Sequence, residues 1–302
     1  MTTIQEGMPD AWPKLPLPFG IGNNLVMPIA FAQSSMFCGQ FFRRNDERTS
    51  YVYPGELASM NPYAIRQTEG CSLDQGDADV FLELVRRAFT NTVRTRGASW
   101  VAFQPNEFLM ALGRTPGGKT RMLLDESLCR LCDAAFSVSM SGGEERHFRL
   151  ILDTERSDAP SSQQSFFAQL DIRLAQVFRP SEWALLRKSE RSQLVHYPLA
   201  RGVHALYSSR PSIYKMKLDT LQGLLGRVEM QDSKFRLALD AALKKVKQVT
   251  NWHICEWRKE GKDAGTVFVE KRKSVPRPPN PTNSRHETPV STDCYEFDDD
   301  EI

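Results

Sequence analysis

The run Gly113-Arg-Thr-Pro-Gly-Gly-Lys119-Thr120 fits the phosphate-loop pattern G-x-x-x-x-G-K-S/T letter for letter. A working phosphate loop needs a strand before it and a helix after it, so that backbone N–H groups converge on the phosphate oxygens. The residues before Gly113 do not supply that strand. Phe108, Leu109 and Leu112 fall on one helical face, Pro105 stands where a helix begins and Gly113 where one ends. No apolar β-run ending in Asp follows to hold magnesium, and Asp125 and Glu126 lie inside the helix that carries Lys119. The same letters also spell a helix-turn-helix. Pro105–Leu112 is then the first helix, the glycines are the turn, and Lys119–Asp133 is the recognition helix, with Met122, Leu123, Leu128 and Leu131 toward the core. Lys119, Thr120 and Arg121 stand at the end of such a helix that meets phosphates and base edges. This reading predicts a DNA-binding protein; the alternative is a P-loop NTPase.

Other reactive residues do not assemble into a site. Cys129 and Cys132 form a single C-x-x-C, with no second pair and no spaced histidines to complete a zinc site. Three residues apart on a helix, they read as core filler. His196 and His204 have no carboxylate or nucleophile at a useful spacing. Six cysteines in 302 residues predict reduced thiols rather than a disulfide framework. With no catalytic constellation, metal set or cofactor motif, the expectation is a protein that is not an enzyme.

The elements around Lys119 must position the recognition helix. Leu73–Phe89 carries the apolar row Val80, Leu84 and Ala88, with Asp74, Asp77 and Asp79 at its start and Arg86 and Arg87 near its end, an order that suits the helix dipole. Tyr51–Tyr53, Tyr63–Ile65, Ala98–Phe103 and Phe166–Leu174 read as strands. Ala134–Met140 and His147–Leu152 predict a hairpin across Ser141–Glu145. Placed after the helix-turn-helix, that hairpin is the wing of a winged helix, with Arg149 in reach of DNA backbone or minor groove.

The order then recurs. Pro198–Ser208 reads as a helix, Lys215 and Lys217 precede a short helix Leu218–Leu225 that ends at Gly226, and Gln231–Val249 reads as a long amphipathic helix. Trp252–Trp257 and Thr266–Glu270 predict a second hairpin. Lys234 and Arg236 stand near the start of the long helix, and Arg258 and Lys259 in the hairpin. The expected fold is α+β, with tandem winged-helix domains over residues 25–175 and 176–273. Two such units read successive major grooves, roughly ~10 bp apart.

The ends differ from this body. Residues 1–24 are rich in Pro and Gly and read as an extended arm, in which Leu15, Leu17 and Phe19 alternate with two prolines. Residues 274–302 read as a disordered, acidic, Pro-rich tail. From Pro276 to Ile302 there are two arginines against seven acids, about −5, which leaves the rest near +7 from a net charge of +2. A basic body suits a polyanionic partner. No apolar run approaches the ~20 residues that span a bilayer, and Met1–Lys14 lacks a signal pattern. The expected location is the cytoplasm.

Several segments together resemble the TrfA family of plasmid replication initiators. They are Leu73-Asp-Gln-Gly-Asp-Ala-Asp-Val80, Ala111-Leu-Gly-Arg-Thr-Pro-Gly-Gly-Lys119, Leu128–Leu131, Leu199-Ala-Arg-Gly-Val-His-Ala-Leu-Tyr-Ser-Ser-Arg210, Tyr214-Lys-Met-Lys-Leu-Asp-Thr-Leu221 and Leu225-Gly226. The likeness covers about Leu15–Lys271. It implies tandem winged helices that bind repeated origin sites (iterons) in double-stranded DNA, open the neighbouring AT-rich duplex and recruit host DnaA, helicase and sliding clamp. It also implies a monomer–dimer equilibrium. No cofactor and no membrane partner are expected from the residues themselves. A transcriptional repressor built from the same modules is the alternative. Clamp-binding peptides resemble Q-L-x-L-x-F; Leu15, Leu17 and Phe19 keep the apolar part, and Lys14 stands where Gln is usual. Changing Leu17 and Phe19 to Ala is expected to abolish retention on immobilised sliding clamp, and equal retention would mean the motif is idle.

Overall fold

The computed structural model describes residues 22–43, 46–90, 100–140, 143, 145–158, 164–178 and 181–271. The arm with Leu15, Leu17 and Phe19, and the acidic tail, lie outside the described residues. Short alternating runs broken by Gly and Pro make strands in the first half, beside two long helices. In chain order these are β1 (Leu25–Pro28), α1 (Ile29–Ala32), β2 (Phe37–Cys38), β3 (Gly55–Leu57), β4 (Tyr63–Glu69), β5 (Leu73–Asp74), α2 (Gln75–Thr90), β6 (Trp100–Phe103), α3 (Pro105–Ala111), α4 (Gly118–Asp133), β7 (Ala135–Met140), β8 (Arg146–Arg149), β9 (Ile151–Arg156) and β10 (Phe166–Leu170). A 3-10 helix (Ile172–Val177), β11 (Trp183–Leu186) and α5 (Lys188–Ser192) lead into the second half. There follow α6 (Pro198–Ser208), β12 (Ile213–Lys217), α7 (Leu218–Leu224), α8 (Asp232–Thr250), β13 (Ile254–Arg258) and β14 (Thr266–Glu270).

The same plan is built twice. In the first half α2 is followed by β6, the pair α3 and α4, and the hairpin β9–β10, with strand order β6-β10-β9. In the second, α6 is followed by β12, the pair α7 and α8, and the hairpin β13–β14, with order β12-β14-β13. In each sheet the last strand lies between the other two, antiparallel to both: Phe166 faces Phe103 and Arg156, and Val269 faces Tyr214 and Cys255. Among the described residues the first half adds a four-stranded sheet, β3-β4-β7-β8, and the pairs β1–β11 and β2–β5.

Burial divides into two clusters within one compact unit. One runs from Leu25 to Leu186 and takes in Ala205 of α6; the other runs from Leu194 to Val269. Helix α2 is the centre of the first. Val80, Phe81, Leu82, Leu84 and Val85 are all buried, so it is covered on several sides. Phe31, Phe37 and Phe81 pack with ring centroids 6.1–6.5 Å apart. Burying each such ring contributes roughly 2–3 kcal/mol.

Four expectations are corrected. The hairpin predicted over residues 134–152 forms as β7–β8, but β7 pairs along β4, from Tyr63↔Met140 to Glu69↔Ala135, and so belongs to the four-stranded sheet. The hairpin that pairs with the strand before α3 is β9–β10. Local alternation marks a strand but does not name its partner. The division after residue 175 falls inside the first cluster, because β11 pairs with β1 and Val177, Phe178 and Leu186 bury there. Tyr51–Tyr53 is not a strand, and Val52 and Tyr53 are exposed. Met122 and Leu123 of α4 are exposed; Leu124 takes the core position instead.

Three carboxylates of α2, Asp77, Asp79 and Glu83, are buried with the apolar residues. Glu83 accepts hydrogen bonds from Arg86 (2.6 and 2.8 Å), Arg87 (3.0 Å) and Lys188 (3.0 Å). Burial works against its charge, yet the hydrogen bonds from Arg86 and Lys188 outweigh burial and hold it at about 2, against 4.5 for a free glutamate. The folded value is depressed, so the stabilisation is fully present above pH 4.5 and is lost as pH falls toward 2. It amounts to about 3 kcal/mol at neutral pH. Urea unfolding of Glu83→Gln across this range is expected to show a loss of that order at pH 7 and a flatter acid limb. A variant with the wild-type pH profile would refute the assignment.

Candidate nucleic-acid interface

Helix α3 starts where Pro105 follows the extended Gln104, since proline costs nothing at a first helical position. Phe108 and Leu109 are fully buried, and Phe108 packs on Phe103 of β6 at 4.4 Å. The helix ends at Gly113, whose φ of +71° is a left-handed value that favours glycine. A helix therefore precedes Gly113 where a phosphate loop needs a strand.

The turn consumes two of the three side chains predicted to meet DNA. The Thr120 hydroxyl donates to the carbonyls of Thr115 (2.8 Å) and Gly117 (3.0 Å). Arg121 donates through Nε (3.1 Å) and a terminal nitrogen (2.8 Å) to Asn106 Oδ1, which ties α4 to α3. Lys119 is exposed on the first turn of α4. Arg149 is placed elsewhere. It donates to the carbonyls of Cys132 and Asp133 (both 3.0 Å) and pairs with Glu69, so it caps the opposite end of α4. The cation on the hairpin of this half is Arg156, on β9. It pairs with Asp125 of α4 at 3.0 Å and lies 4.9 Å from the Phe166 ring.

In the second half the cations gather around the hairpin. Lys215 of β12 and Arg258 of β13 both reach Asp263 at 2.8 Å, and both lie against the Phe268 ring, at 5.6 and 4.4 Å. The hydrogen bond from Lys215 leads in holding the Asp263 carboxyl below its usual range. Arg236 of α8 and Lys259 lie 5.8 and 5.4 Å from the Trp257 ring. Lys217 is exposed just before α7, and Lys234 is exposed on the first turn of α8. The structure thus brings Lys215 together with Arg258, and Arg236 with Lys259. Asp263, Trp257 and Phe268, which organise them, went unnoticed in the sequence.

The fold is similar to that of domains 2 and 3 of RctB. In one crystal structure of those domains the sequence is 13% identical, the match covers 81% of this chain and 98% of that one, and the TM-score is 0.52. A second structure of RctB domains 2–3 is 13% identical over 78% of this chain and 96% of that one, with a TM-score of 0.49. The Pi initiator protein, solved in complex with iteron DNA, is 12% identical over 65% of this chain and 92% of that one, with a TM-score of 0.45. No family model and no curated protein matches the chain.

The two long helices also agree residue by residue. Lys119-Thr-Arg-Met-Leu-Leu124 of α4 and Lys234-Phe-Arg-Leu-Ala-Leu239 of α8 align at a constant offset of 115. In that register the buried residues Leu124, Ser127, Leu128 and Leu131 match Leu239, Ala242, Leu243 and Val246, also buried. Asp125 matches Asp240, and each pairs with a cation, Arg156 and Lys244 respectively. K-x-R at the start of each helix was the available signal for this register.

Cys129 and Cys132 are not both core residues: Cys129 is exposed and Cys132 half-buried. Among the described residues there is no cluster that could hold a metal ion, and no helix long and apolar enough to cross a membrane. His204, for which spacing names no partner, is fully buried with Nε2 3.0 Å from Glu190. Burial lowers its pKa against that hydrogen bond.

Asn106→Ala removes the acceptor that Arg121 uses to join the two helices. It is expected to cost about 1–2 kcal/mol, read by chemical denaturation; an unshifted midpoint would show that the pair contributes nothing.

Proposed function

We propose that the chain is a non-enzymatic, sequence-specific DNA-binding protein made of two winged helices, and that it initiates plasmid replication from repeated origin sites. One observation carries the DNA-binding part. The same helix, strand, helix-pair and hairpin occurs twice with the same strand order, and each second helix opens with the same K-x-R and an exposed lysine. In a winged helix that second helix enters the major groove by its N-terminal end. Lys119 and Lys234 are then phosphate contacts, with Lys217, Lys259 and the pair Lys215 and Arg258 around the second helix. The likeness of several segments to TrfA initiators supports initiation over repression. DnaA, helicase and sliding clamp are the host partners on this reading, and binding energy rather than nucleotide hydrolysis drives opening of the origin.

Footprinting on the DNA that flanks the gene tests the whole reading. Tandem repeats beside an AT-rich tract are expected; a lone operator over a promoter would make the protein a repressor. Lys119→Ala and Lys234→Ala are each expected to weaken binding and to reduce the slope of log affinity against log salt by about one. Unchanged slopes in both variants would refute docking through the two helices. No nucleotide binding by the wild-type chain would dispose of a phosphate-loop role.

A further inference from the structure

A single exposed aliphatic side chain is ordinary on a protein surface. Leu237 is set apart by its position. It is 75% exposed on α8, whose core face is already filled by Phe235, Leu239, Ala242, Leu243 and Val246. It stands one turn beyond the exposed Lys234, and the row continues at helical spacing through the exposed Ala241 and Lys244. Arg236, the adjacent cation, lies against Trp257 of the hairpin.

The first half repeats the arrangement. At the same offset of 115, Met122 takes the place of Leu237. It too is exposed, three residues beyond the exposed Lys119, and the intervening Arg121 is bound to Asn106. Both helices therefore present a lysine and then an aliphatic side chain on the outward face, with the arginine between them engaged by the fold. In the major groove an aliphatic side chain has neither donor nor acceptor to offer. Its one base-specific partner there is the C5-methyl group of thymine.

We propose that Leu237 and Met122 are specificity-determining residues that read thymine methyl groups in the major groove. This rests on the DNA-binding reading above. The division of labour is then clear: the lysine sets position and salt dependence, and the aliphatic residue sets sequence preference.

Replacing thymine by uracil removes only the methyl group, so it isolates this contact. A duplex selected by the protein from a random-sequence pool is prepared once with thymine and once with uracil throughout. The wild-type chain is expected to bind the uracil duplex more weakly, by about fourfold for each methyl group contacted. Leu237→Ala and Met122→Ala should each lose part of that discrimination, and the double variant nearly all of it, with salt slopes unchanged. Leu237→Met should retain it. Leu237 is 75% exposed, so the melting temperature of Leu237→Ala should stay at the wild-type value. Full discrimination in the double variant, or none in the wild type, would overturn the proposal. So would a change of oligomeric state in Leu237→Ala without a change in discrimination. Failure of the wild-type chain to select any duplex from the pool would instead overturn the DNA-binding reading, and the proposal with it.

Discussion

The buried carboxylates of α2 are the constraint on which the rest of the structure depends. A charge removed from water must meet an opposite charge, or the fold loses several kcal/mol. Asp77, Asp79 and Glu83 have different partners, and those partners lie in different parts of the chain. Asp77 holds Arg48 (3.2 Å), and Ser127 (2.6 Å) and Arg130 (2.8 Å) of α4. Asp79 holds Arg191 of α5 (2.7 Å) and Arg201 of α6. Glu83 holds Lys188 at the start of α5. One helix thus orients the second helix of the first repeat and also anchors the first helix of the second repeat. Arg191 and Arg201 are themselves 2% exposed, so the joint between the halves is a dry ionic contact rather than a solvated linker.

This joint fixes how the two similar units stand to one another. A loose tether would let the two helix pairs take any separation, whereas a packed joint holds both at one spacing. The phosphate-loop spelling of Gly113–Thr120 fits this setting. Gly113 provides the left-handed residue that ends α3, and Gly117 precedes the first residue of α4. Thr120 and Arg121 close the turn internally. Turn geometry and helix joining account for these letters without a bound phosphate.

Much of this was legible in the sequence where the signal was local. Pro198–Ser208 reads as a helix and is one, and Gly226 ends the preceding helix region with a φ of +61°. The helix pair at Pro105–Asp133 was legible from a proline start, a glycine stop and apolar spacing. What could not be read depends on distant partners. The acids early in α2 look like an ordinary complement to the helix dipole, but Asp79 meets residues more than a hundred positions away. Strand β7 alternates as a strand should, and only its pairing with β4 decides which sheet it joins. Met122 and Leu123 satisfy an apolar pattern that Leu124 satisfies as well, and a one-residue rotation of the helix separates them. The cations of the second hairpin were countable, but their organisation around Asp263, Trp257 and Phe268 follows from strand register.

The pairing of β1 with β11 has a consequence for how the chain is made. Leu25 lies opposite Leu186, and Pro28 opposite Trp183. Among the described residues β11 is the strand that β1 pairs with, so β1 stays unpaired until the last segment of that half has left the ribosome. Asp79 must wait longer still, for Arg201. Long-range closure of this kind is slow to form and leaves apolar surface uncovered in the interim. A nascent chain that ends between residues 131 and 180 carries most of the first core without its closing strand, and that uncovered apolar surface is open to aggregation.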